Sequence, residues 1–189
     1  NKTINIKAME NNFINSVEKE FLNYKILAEK TFEQLSDEQL FWQYNAESNS
    51  VAAIVKHLSG NMRSRWTDFM RSDGEKPWRN RDQEFEIESS SRQDMLSQWE
   101  SGWACLFTAL HGIQEDQLVQ TIFIRQEQHT VMEAIHRQLA HYLSHIGQIV
   151  FIGKMLKGTQ WQNLSIPKGQ SAAFNKAMHD KQQQPKERD

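Results

Sequence analysis

Apolar residues recur three and four positions apart over long stretches of this chain, and only 3 prolines and 8 glycines interrupt 189 residues. That spacing matches the 3.6-residue turn and predicts an all-α protein. The first helix is expected over about residues 8–35, with Phe13, Val17, Phe21, Tyr24, Leu27, Ala28, Thr31 and Leu35 on one stripe. Ser36 and Gln39 then form a capping box for a short helical turn. Ser50 closes a capping cluster ahead of a second helix over about 51–71, and Ser89-Ser90-Ser91 caps a third reaching about 111. Thr130 caps the fourth, about 131–156, which ends on Lys157-Gly158 with a basic residue and a glycine in their preferred places. Four long helical segments joined by loops read as a four-helix bundle.

Between the helices two segments carry other signals. The polar loop from Asp73 to Ser91 is long for a compact domain, and its Trp78 and Phe85 imply that it packs down. Alternation over residues 119–125 predicts a short hairpin or extended lead-in before the last long helix, with 126–129 as its turn. After Gln160 the chain is irregular, with a short helical stretch at about 171–178. The domain is placed at residues 8–178 and a polar, disordered tail at 179–189.

Composition narrows the function classes. A formal net charge of −2 with no Lys/Arg cluster argues against nucleic acid. No apolar run reaches the roughly 18 residues of a membrane span, and the first thirty residues lack the solid apolar stretch of a signal peptide. A cytoplasmic protein acting on a small molecule is expected, and the sequence leaves a homodimer open. The single cysteine, Cys105, excludes an internal disulfide and reads as a small buried hydrophobe.

The chemistry-bearing feature is histidine placement. His141 and His145 lie four apart, on one helical face and roughly 5–6 Å apart at Cβ, so both imidazoles can reach one ion. His57 lies in the apolar run 51–58 and points where core residues point. Together they make a three-histidine site with an open coordination position, as a catalytic metal requires. The HxxxH pair alone is a weak motif. On the fourth helix Ala134, Gln138, His141, His145, Gln148, Ile152 and Leu156 share a stripe. Inward polar groups must be hydrogen-bonded or coordinate something; a polar core layer accounts for the glutamines better than for three histidines.

The residues Ile54-Val55-Lys56-His57-Leu58, with His141-x-x-x-His145-x-Gly147-Gln148-Ile149, resemble the DinB/YfiT-like superfamily of metal-dependent four-helix-bundle proteins. The lead-in at 122–125 and 130–137 is similar to a bacterial subfamily whose members are mostly of unknown function. The likeness covers about residues 8–178. It implies that His57, His141 and His145 bind a divalent ion, zinc or nickel foremost. It also implies activities of the kinds found among members: S-transfer from a low-molecular-weight thiol such as bacillithiol or mycothiol, thiol-dependent isomerisation of maleylpyruvate, or hydrolysis. Several members carry an arginine after the second histidine of the pair; Ile146 follows it here, so an anion contact through that arginine does not transfer.

A divalent ion on three neutral imidazoles lowers the pKa of bound water from 15.7 toward about 7 and likewise deprotonates a thiol. Tyr142 stands where an HExxH hydrolase has its general-base glutamate, so metalloprotease chemistry is disfavoured and no catalytic base is assigned. Asn61 and Gln148 are placed either to orient a bound water or substrate or to bond within the core. Loop tryptophans Trp78 and Trp161 are candidates to line a substrate pocket or to anchor the loops. The reading is a metal-dependent, thiol-dependent S-transferase, with a metal-dependent hydrolase and a non-catalytic metal-binding bundle as alternatives.

Overall fold

The computed structural model describes residues 12–86 and 91–183, so the expected helix start at 8 and the serines at 89 and 90 lie outside the described residues. Four long helices make the bundle: α1 (Asn12–Gln34), α3 (Val51–Trp66), α4 (Arg92–His111) and α5 (Val131–Lys157). The single turn α2 (Asp37–Phe41) follows α1, and a hairpin of β1 (Thr121–Ile124) and β2 (Glu127–Thr130) precedes α5. No helix among the described residues is long and apolar enough to cross a membrane.

The sequence-level caps set these boundaries. Ser36, Ser91 and Thr130 each accept from the backbone N–H three residues on, and the side chains of Gln39, Asp94 and Glu133 return the bond. Ser50 caps α3 through the N–H of Ala53 at 3.1 Å. Each such cap stabilises a helix start by about 0.5–2 kcal/mol. Helix α3 stops at Trp66, short of the predicted 71, and Asp68 beyond it takes a left-handed φ of 49° that no helix continues through. The hairpin also differs from expectation. Its turn is Arg125-Gln126, at φ 55° and 65°, and Glu127–Thr130 is strand rather than turn.

Helix α3 is the centre of the molecule: 13 of its 16 residues are buried. It packs most extensively on α4, while α1 packs along α5. Phe21, Phe32, Trp99, Trp103 and Tyr142 fill the core with ring centroids 5.2–6.2 Å apart in mostly edge-to-face contacts. Helix α4 approaches α3 at Gly102, where an added Cβ would stand 2.9 Å from the Cα of Ser59. Gly147 on α5 has open space in the same position. Gly147→Ala is therefore expected to stabilise the protein by about 0.5–1 kcal/mol, the helix-propensity gain. Gly102→Ala is expected to destabilise it, because overpacking against a backbone costs about 1–3 kcal/mol and outweighs that gain. Urea denaturation of both variants checks the opposite signs.

The inward stripe of α5 is not the predicted one. Val131, Ala134, Ile135, Gln138, Tyr142, Ile146, Ile149 and Gly153 are buried, His141 and His145 flank them half-buried, and Gln148 is exposed. The stripe turns about one position because Tyr142, wholly buried, takes the core place and gives its hydroxyl to Asn61 Oδ1 at 3.2 Å while accepting from Trp66 Nε1 at 3.1 Å. At the C-terminal end, α6 (Ser171–Gln183) carries helix past 178, where composition predicted a disordered tail; residues 171–181 of it are exposed, and 184–189 lie outside the described residues.

The loop after α3 is pinned to the hairpin by Asp73, whose carboxylate accepts the backbone N–H groups of Glu75, Arg125 and Gln126 at 2.7–2.8 Å. Burial alone would raise its pKa, but these three bonds outweigh it and hold Asp73 below its ordinary value. A depressed carboxylate pKa gives stability that is present above the unfolded value and lost as pH falls through the folded one. Asp73→Asn is thus expected to lower the melting temperature at pH 7 and to flatten its decline below about pH 4, where the unfolded carboxyl titrates.

Candidate metal centre

His57 is carried by α3, and His141 and His145 by the facing surface of α5. One ligand-type nitrogen from each lies within 4.8 Å of the other two. Nε2 of His57 stands 3.3 Å from Nε2 of His141, and the ring centroids of His145 lie 4.9 and 4.8 Å from those of His57 and His141. The structure therefore brings together all three sequence-identified histidines. His111, His129, His136 and His179 are not in the group.

What the sequence reading missed is how His57 is held. The loop residues Asp82–Glu84 form a single 3-10 turn that brings Glu84, 6% exposed, over α3. Its Oε2 accepts from His57 Nδ1 at 2.9 Å, and Arg79 grips both oxygens through Nε at 2.7 Å and Nη2 at 2.8 Å. Burial would raise the Glu84 pKa; the bonds from Arg79 and His57 outweigh it and keep the carboxylate ionised. An ionised carboxylate only accepts, so the neutral His57 ring keeps its proton on Nδ1 and presents a lone pair at Nε2. Phe85 stacks on the His57 ring at 4.9 Å and 24°, fixing its plane. Gly60, one turn on from His57, makes room: a Cβ there would meet Glu84 Oε1 at 2.2 Å.

The other two rings are less restrained. His145 Nδ1 lies 3.3 Å from Gln148 Oε1, which leaves Nε2 toward the group. Asn61 bonds Tyr142, so of the two amides only Gln148 bonds a histidine. Burial, and then the neighbouring His145 and His57, push the His141 pKa down to about 3; burial also lowers that of His145.

These residues fit a divalent ion. A tetrahedral ion with nitrogens at about 2.0–2.1 Å spaces its ligands roughly 3.4 Å apart, near the observed His57–His141 separation. A lone pair at His57 Nε2 facing a second imidazole nitrogen at 3.3 Å calls for a proton or a cation between them. The carboxylate on the far nitrogen of His57 is the arrangement that orients metal-ligating histidines and raises their basicity.

The three rings open onto a cavity of about 410 Å³ lined also by Asn49, Asn61, Gln138, Phe85 and five arginines, 65, 79, 81, 125 and 137. Neither tryptophan expected to line a pocket contributes. Trp78 is 54% exposed with Arg63 over its ring, and Trp161 packs on α5 at Gly153. Cys105 is half-buried near Thr67 and Met62, away from the cavity.

A helical bundle with three histidines on two facing helices defines the class of protein. The particular family follows from sequence comparison: residues 8–170 match a family described as a protein of unknown function, DUF1572, and the chain belongs to it. No curated protein and no solved structure matches the chain.

Proposed function

We propose that the chain belongs, through this family, to the DinB/YfiT-like superfamily and is a metal-dependent enzyme that transfers a low-molecular-weight thiol to, or isomerises with its help, a small molecule. The supporting observation is the convergence of His57, His141 and His145 at the wall of an open cavity, three ligands with a free side. Zinc and nickel both suit an imidazole donor set. A divalent ion held there would supply a Lewis acid that lowers the pKa of a coordinated thiol or water.

The protein groups around the histidines disfavour hydrolysis that relies on a protein general base. Hydrolysis assisted by a carboxylate base needs an acidic group beside the ion, and none of the cavity's lining residues is acidic. Glu84 is committed on both oxygens to His57 and Arg79, and its depressed pKa makes it a poor proton acceptor. Tyr142 is wholly buried, with its pKa pushed up by that burial and its hydroxyl spent on Asn61. A thiol needs no such base once its pKa is lowered, since the thiolate is itself the nucleophile, and hydrolysis by a metal-bound hydroxide stays as the alternative. His57, locked by Glu84 and Phe85, then serves to orient, and the cavity walls hold the second substrate.

Titration of the cobalt-loaded protein with cysteine, glutathione and bacillithiol is expected to produce a sulfur-to-cobalt charge-transfer band for at least one of them. Turnover of esters or amides without any thiol-induced band would replace this reading with the hydrolase. Absence of both would leave a metal-binding bundle without catalysis.

A further inference from the structure

The cavity beside the histidines is lined by five arginines and by no acidic residue. Two of the five are built in. Arg65 is 7% exposed, and the side chain of Arg79 is 2% exposed. Their carboxylate partners, Glu75 and Glu84, are not among the lining residues. Arg65 Nε and Arg79 Nη1 are enclosed by protein without a hydrogen-bond partner, with Glu75 Oε2 3.7 Å from the latter. Arg81, exposed, makes no ion pair among the described residues and rests its guanidinium over Phe85, the ring that stacks on His57. Arg137 reaches the exposed Glu127 at 3.5 Å and His129 Nε2 at 3.4 Å.

Arginines gathered at one cavity whose lining holds no acidic residue match a planar or tetrahedral oxyanion, which guanidinium groups bind through paired bonds. We infer that the cavity next to His57, His141 and His145 binds the carboxylate or phosphate of a small organic anion, with Arg79 and Arg65 at its wall and Arg81 and Arg137 at its rim. The inference deepens the enzyme reading by naming the substrate class, but the arginine site does not depend on a metal being present.

The test is calorimetric titration of the full-length protein, metal-stripped and zinc-loaded, with succinate and with glycerol phosphate at low salt. At least one is expected to bind both forms, and to bind more weakly as salt rises. The preferred ligand identifies the oxyanion. Arg81→Gln with Arg137→Gln, both at exposed positions, is expected to weaken binding about tenfold or more at unchanged melting temperature, the scale of losing a charge-assisted hydrogen bond. Zinc binding without anion binding to either form would overturn this inference and leave the metal reading intact. Anion binding confined to the zinc-loaded form and indifferent to the arginine substitutions would also overturn it. Arginine-dependent anion binding by a protein that takes up no zinc would support it while removing the metal.

Discussion

His141→Ala is expected to abolish stoichiometric zinc binding while leaving the bundle folded. Residues that merely orient a metal ligand cost about 10–100-fold in affinity when replaced, and loss of one of only three ligands exceeds that. The fold tolerates the change because His141 is half-buried at the edge of the apolar stripe and its polar contact is His57 itself. A second signature accompanies the loss. In the metal-free protein the folded pKa of His141 is depressed from 6.5 to about 3, chiefly by burial. The unfolded chain therefore takes up a proton there before the folded one does. Stability contributed by the neutral ring is present above pH 6.5 and lost as pH falls toward 3. Removing the ring is expected to make the melting temperature of the metal-free protein less sensitive to pH across that window. Equilibrium dialysis with zinc, followed by melting curves of the metal-free protein between those limits, measures both effects.

Glu84→Gln is expected to weaken zinc binding about 10–100-fold, the usual cost of losing the carboxylate behind a ligating histidine. The amide no longer fixes the proton on His57 Nδ1, and Arg79, with a side chain 2% exposed, loses its counter-charge. Stability falls as well, since taking one partner from a buried ion pair costs about 3–5 kcal/mol. Gly60→Ala separates the two consequences. Its Cβ would intrude on Glu84 Oε1 without removing any charge, so it is expected to reproduce the affinity loss by pushing the carboxylate off His57. Unchanged zinc affinity in both variants would show that Glu84 serves only Arg79.

The clustering of the three histidines was legible in the sequence because helical periodicity places His141 and His145 on one face and turns His57 inward. The capping residues Ser36, Ser50, Ser91 and Thr130 were legible for the same reason: the signal lies within three residues of the boundary. Glu84, Arg79 and Phe85 were not, because they reach His57 through a loop whose course is set by long-range contacts, the Asp73 clamp on the hairpin and the gap at Gly60. The length and aromatic content of that loop pointed to a packed segment, yet nothing local separates Phe85, which stacks on the site, from Trp78, which faces solvent. The one-position error in the α5 stripe has a similar origin. Period alone does not say that Tyr142 outcompetes His141 for the core, a choice made by the partners Trp66 and Asn61 offer its hydroxyl.

The central claim is that three imidazoles and no other protein group hold a divalent ion. X-ray absorption at the zinc edge, on protein loaded with one equivalent, tests it most directly. The account predicts about three imidazole nitrogens at about 2.0–2.1 Å with a light-atom ligand completing the shell. A sulfur scatterer near 2.3 Å in the absence of added thiol, or a shell of oxygens without imidazole signature, would contradict it.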